Sequence, residues 1–153
     1  MLRFLENMQF ALFVFFTAAY AYQIVYLFVG REDAKLHRYA AVVAARNESA
    51  VIANLIRTLK EQNYPSELLD IYVIADNCTD NTAQISRKAG AYVYERFNKV
   101  QVGKGYALEY LFRHIFEDKG ETAYDGFFVF DADNIVDRDF VREMNKMFDT
   151  GEY

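Results

Sequence analysis

Short apolar runs that close in polar clusters, with helical periodicity between them, constrain this chain more than any other feature. Tyr39 to Ala45 runs into Arg46-Asn47-Glu48, and Ile71 to Ala75 into Asp76-Asn77. Phe127-Phe128-Val129-Phe130 runs into Asp131-Ala132-Asp133-Asn134, and Ala91 to Tyr94 reads as one further strand. Between the first two runs, Val51, Ile52, Leu55, Ile56 and Leu59 fall on one face of a helix from about Ala50 to Gln62. Ser49 or Asn47 can cap it, and Pro65 ends any continuation. Asp80 caps a short helix to Lys88, which Gly90 stops. Gly103-Lys104-Gly105 opens a third helix to about Glu117, with Leu108, Leu111, Phe112 and Ile115 inward, and a last one starts near Asp137. Strands that alternate with helices are joined by right-handed crossovers, so the expected fold is α/β, a Rossmann-like half with a mostly parallel sheet. The unbroken apolar run at 127–130 predicts a strand buried on both faces.

A parallel sheet collects the carboxyl ends of its strands along one edge, and ligands bind in the crevice beyond that edge. The three polar clusters therefore converge. If the last strand persists to Asp133, its two carboxylates point to one side and Ala132 to the other. Two hard oxygen ligands suit a divalent cation that also holds phosphate oxygens. Arg96, Lys99 and Lys104 offer positive charge to a diphosphate. No Gly-x-Gly-x-x-Gly follows the first strand, and Gly103-Lys104-Gly105 lacks the other residues of a P-loop, so dinucleotide and ATPase readings fail.

Composition matters at two points. A formal net charge of −5 argues against a nucleic-acid partner, which demands clustered positive charge. One cysteine, Cys78, permits no internal disulfide and fits a reducing compartment. From Met8 to Val29 no residue is charged, long enough for a helix across a ~30 Å hydrocarbon core. Tyr20, Tyr22 and Tyr26 cluster near one end, and Arg31, Lys35, His37 and Arg38 follow. The expectation is one N-terminal membrane anchor, residues 1–31, with residues 32–153 on the cytoplasmic side. Ala19-Tyr20-Ala21 has the small-x-small form of a cleaved signal peptide, but the apolar run continues past it.

Four blocks, taken together and in order, resemble the nucleotide-sugar-dependent glycosyltransferases of family 2, with the GT-A fold. They are Val42 to Glu48, Ile74 to Ala83, Arg96 through Gly103-Lys104-Gly105 to Leu108, and the Asp-x-Asp of Asp131-Ala132-Asp133. Ala44 or Ala45 stands where the family often has proline. The resemblance implies a donor-binding set of Ala45, Asn47, Glu48, Asp76, Arg96, Lys104, Asp131 and Ala132. In it Asp76 contacts the nucleotide base, uracil in a UDP-sugar. Asp131 and Asp133 serve as ligands of manganese or magnesium. The implied reaction is inverting transfer to a glycan, lipid or polysaccharide acceptor. The family's catalytic base and acceptor site lie downstream of the Asp-x-Asp motif, and no carboxylate here matches that base. The alternative expectation is a membrane-tethered nucleotide-sugar-binding module without transfer activity.

Overall fold

The computed structural model describes residues 16–22 and 34–150. The chain divides into two units, Met1–Lys35 and Leu36–Tyr153. In the first, residues 16–22 are helical and exposed. Most of the run expected to anchor the chain lies outside the described residues, and among the described ones no helix is long and apolar enough to cross a membrane.

The second unit is α/β. In chain order it holds β1 (Tyr39–Ala45), α1 (Ile52–Lys60), a 3-10 turn (Ser66–Leu68), β2 (Leu69–Asp76), α2 (Thr82–Lys88), β3 (Tyr92–Arg96), α3 (Lys104–Lys119), β4 (Gly126–Asp131) and α4 (Phe140–Thr150). The strands form one sheet in the order β3-β2-β1-β4. Every pairing is parallel. The order reverses at β1: β2 and β3 are added on one side of it and β4 on the other.

Both faces of the sheet are covered. Tyr39, Ala41, Val43 and Ala45 of β1 pack with Ile52, Leu55, Ile56 and Leu59 of α1 and with Val141 of α4. Ala40 and Val42 face Ala107, Leu111 and Ile115 of α3. The four apolar residues of α1 are at most 1% exposed, and each contributes about 1.5–3 kcal/mol by leaving water, as an upper estimate. This burial, with the helix's spacing of apolar positions, is why 52–60 is a helix in the absence of a side-chain cap.

Three expectations are corrected here. The 127–130 run is not buried on both faces. Among the described residues β4 pairs only with β1, and at this edge Val129 is 50% exposed while Phe128 and Phe130 pack on the α1 side. Strand geometry also stops at Asp131: the Asn134 amide donates to the Asp131 carbonyl at 3.1 Å, closing a turn. Neither Ser49 nor Asn47 caps α1. The Asn47 side-chain oxygen instead accepts from the Thr79 amide at 2.8 Å, and the Ser49 amide donates to Asp80 at 3.2 Å. The last helix, α4, starts near Asp137 as expected, at Phe140, and the Asp137 carboxylate takes the Asp139 amide.

Candidate functional site

Register decides which polar residues meet. Ala45 pairs with Ala75, so Arg46 follows level with Asp76. Asp76 pairs with Arg96, and Ala44 with Asp131. These residues lie at the carboxyl edge of the sheet, beside the amino end of α3. A recess of about 210 Å³ opens there, lined by Ala44, Ala45, Arg46, Asp76, Gly103, Lys104 and Ala107. It lies beside β1, where the strand order reverses, the place at which open parallel sheets bind ligands.

Asp76 is the buried hub, 3% exposed. Arg96 Nη1 donates to its Oδ1 at 2.6 Å, and Arg46 Nη2 to its Oδ2 at 2.5 Å. Arg46 Nε reaches the Asp76 carbonyl at 3.2 Å. Burial by itself would raise the Asp76 carboxyl, but hydrogen bonds and charge from Arg96 and Arg46 hold it below the ordinary carboxylate value. The two arginines differ in setting. The Arg96 side chain is 5% exposed and that of Arg46 43%. Arg96 also donates to the Gln101 carbonyl at 2.8 Å, so its guanidinium ties Asp76 to the loop after β3.

The loop after β3 is held in place by the same neighbourhood. Asn77 adopts φ 52°, a left-handed conformation that asparagine tolerates. Its amide group donates to the Asn98 carbonyl at 3.1 Å and accepts the Asn98 N–H at 2.9 Å. Arg96, Asn98, Gln101, Tyr106 and Tyr110 line an adjoining recess of about 390 Å³.

On the far side of the first recess Lys104 forms an ion pair with Asp131. Both side chains are exposed, 47% and 65%. Asp133 is exposed on the turn, whereas Ala132 is buried in the core on the α1 side. Ala132 therefore packs the core and does not line the recess. Among the described residues no group of three or more His, Cys, Asp or Glu side chains stands close enough to hold a metal.

Of the residues expected at the site, the structure gathers Ala45, Asp76 and Lys104 around one recess, with Asp131 attached through Lys104 and Arg96 behind Asp76. Asn47 and Glu48 sit on the loop after β1, tied to the segment that precedes and opens α2. The Glu48 amide donates to Thr82 Oγ1 at 2.9 Å. Arg46 is the site residue that motif reasoning passed over. Its signal is an arginine just after the first strand, level with an aspartate that closes the second. A cavity of about 290 Å³ at the opposite edge, near Gln62, Tyr64 and Asp70, carries no comparable convergence of charge.

Residues 40–153 match glycosyl transferase family 2. The chain belongs to that family. This family 2 member is 32% identical over 112 residues to a beta-monoglucosyldiacylglycerol synthase of Synechocystis, covering 70% of this chain and 22% of that protein. It is 31% identical over 81 residues to a 4,4'-diaponeurosporenoate glycosyltransferase of Staphylococcus haemolyticus, covering 50% of this chain and 21% of that one. Among solved structures, the mannosyltransferase PcManGT from Pyrobaculum calidifontis, in complex with GDP-Man and Mn2+, superposes with a TM-score of 0.60 at 22% identity. That match covers 74% of this chain and 33% of PcManGT. S. aureus TarS 1-349 superposes at 0.59 and 18% identity, covering 74% and 32%. The family 2 member thus spans about a fifth of the length of these curated relatives. Its fold is the parallel α/β sheet of these glycosyltransferases.

Proposed function

We propose that this chain supplies the donor-binding part of a metal-dependent, membrane-anchored glycosyltransferase that uses a nucleotide sugar, with its site on the cytoplasmic side. The observation that carries the reading is the convergence of Asp76, Lys104 and Asp131, from three separate elements, on the carboxyl edge of a parallel sheet. Two solved relatives of the same fold are complexes with GDP-Man and Mn2+ and with UDP-GlcNAc, which supports a nucleotide sugar as ligand. A UDP-sugar is the donor proposed here. The reaction is displacement of the nucleoside diphosphate at the anomeric carbon by an acceptor hydroxyl, with inversion. The names of the two curated relatives favour a lipid acceptor.

The residues present fit a hard divalent cation. Asp131 and Asp133 are exposed carboxylates two positions apart on one turn, and diphosphate oxygens and water would complete the shell. Manganese or magnesium bound there would neutralise charge on the leaving diphosphate. Lys104 and the exposed guanidinium of Arg46 raise the positive potential of the recess, while Asp76 and Arg96 keep Arg46 in place.

The test is calorimetric titration of UDP into the full chain, in detergent, with and without manganese. Binding should be at least about tenfold tighter with the metal, and in its presence should weaken at least about tenfold in Asp133→Ala, since a tenfold change is only ~1.4 kcal/mol of lost contact. Asp133 is exposed, so this variant should fold normally. Equal affinity with and without metal, unchanged by the substitution, would sink the reading.

A further inference from the structure

Lys104 occupies an odd position for a residue beside a cation site. Its ammonium is paired with Asp131, one of the two carboxylates that would hold the cation. A divalent ion on Asp131 would therefore face a positive charge at contact range, where charges repel even in a solvent-like dielectric. Repulsion disappears if an anion takes up the ammonium. The recess offers a place for one: Lys104 and Arg46 both line it, with the first turn of the sixteen-residue α3 alongside.

We propose that Lys104 makes cation binding conditional on the diphosphate, and so enforces joint binding of metal and nucleotide sugar. This rests on the nucleotide-sugar reading above. Alone, the cation must share Asp131 with an ammonium. Alone, the diphosphate gains Lys104 only by drawing it from Asp131. Together each removes the other's obstacle: the diphosphate takes the lysine and the cation takes the aspartate. Because the coupling is a property of both equilibria, it must appear with equal size whichever ligand is added first. Both side chains are exposed, so the pair adds little to the stability of the fold itself.

The consequence is a single substitution whose effects on the two ligands have opposite sign. Manganese binding to the full chain is read from the spin-resonance signal of free Mn2+, and UDP binding by calorimetry. Lys104→Met should bind manganese alone about five- to tenfold more tightly than the wild type, with the gain shrinking as salt is raised. The same variant should bind UDP alone more weakly by a similar factor, about five- to tenfold. Lys104→Arg, which keeps the charge, should track the wild type in both. Circular dichroism checks that the variants are folded. If the wild type binds UDP with manganese but Lys104→Met leaves manganese affinity unchanged or lowers it, the coupling is overturned and the donor-site reading stands. If the wild type binds no UDP with manganese, both fall.

Discussion

Replacing Arg96 with methionine should destabilise the fold by about 3 kcal/mol, near the lower bound for breaking a buried ion pair. Both side chains of the pair are 5% exposed, and Arg96 is the closer of the two partners on Asp76 Oδ1. Without it, one oxygen of a buried carboxylate keeps only the weaker contact from Asn77 Nδ2 at 3.2 Å. The loop at 97–102 also loses its tie through the Gln101 carbonyl. Arg46→Met should cost less, about 1–2 kcal/mol, because its side chain is 43% exposed and solvent screens the pair, although Asp76 Oδ2 loses its side-chain donor. Acid sharpens the contrast. The folded Asp76 carboxyl binds its proton less readily than an unfolded one. Its stabilisation is therefore complete above the unfolded value of about 3.9 and drains away as pH falls toward the lower folded value. Urea denaturation at neutral pH and near pH 3 should show that acid loss in the wild type and a flatter profile in Arg96→Met. Equal stabilities for the two arginine variants would mean that Asp76 does not depend on its buried partner.

Much of the architecture could be read from residue patterns, because the patterns have local causes. β1 spans the expected Tyr39–Ala45, since a run of small and β-branched apolar residues between polar flanks has few other uses. The parallel sheet followed from the alternation of strands with amphipathic helices. What escaped was set by contacts distant in sequence. The strand at 127–130 is apolar on both faces, yet its place at the edge depends on the direction of the crossover through α3, which no local pattern encodes. Asn47 has the chemistry of a helix cap but spends it on Thr79. At the site, acidic strand ends announced themselves, whereas basic partners did not. An arginine looks the same in sequence whether it is solvated or buried. Only the pairing of Asp76 with Arg96, across two parallel strands, separates the internal Arg96 from the exposed Arg46. Ala132 shows the converse: one small residue inside an Asp-x-Asp pattern turns inward because the chain turns there.

At the opposite edge of the sheet, Asn145→Leu should cost about 2–3 kcal/mol, although the residue is far from the recess and nothing in its sequence context marks it. Asn145 is 2% exposed on α4, with Val141 of the same helix fully buried. Its Oδ1 accepts from the Tyr39 hydroxyl at 3.1 Å, from the Tyr64 hydroxyl at 2.9 Å and from the His37 amide at 3.1 Å. These contacts fasten α4 to the start of β1, the strand at the reversal of the sheet. Leucine fills similar space but accepts no hydrogen bond. The Tyr39 hydroxyl, on a side chain 2% exposed, would then be left without this acceptor, and an orphaned buried donor costs about 1–3 kcal/mol. If that is the origin of the loss, the penalty belongs to the hydroxyl and not to the helix. In a Tyr39→Phe background the same Asn145→Leu substitution should cost about 1 kcal/mol less, because the Tyr39 donor is no longer there to be orphaned. Urea midpoints for the four proteins of this cycle measure the difference. Full additivity would show that the Tyr39 hydroxyl plays no part and that the loss comes from the other contacts of Asn145.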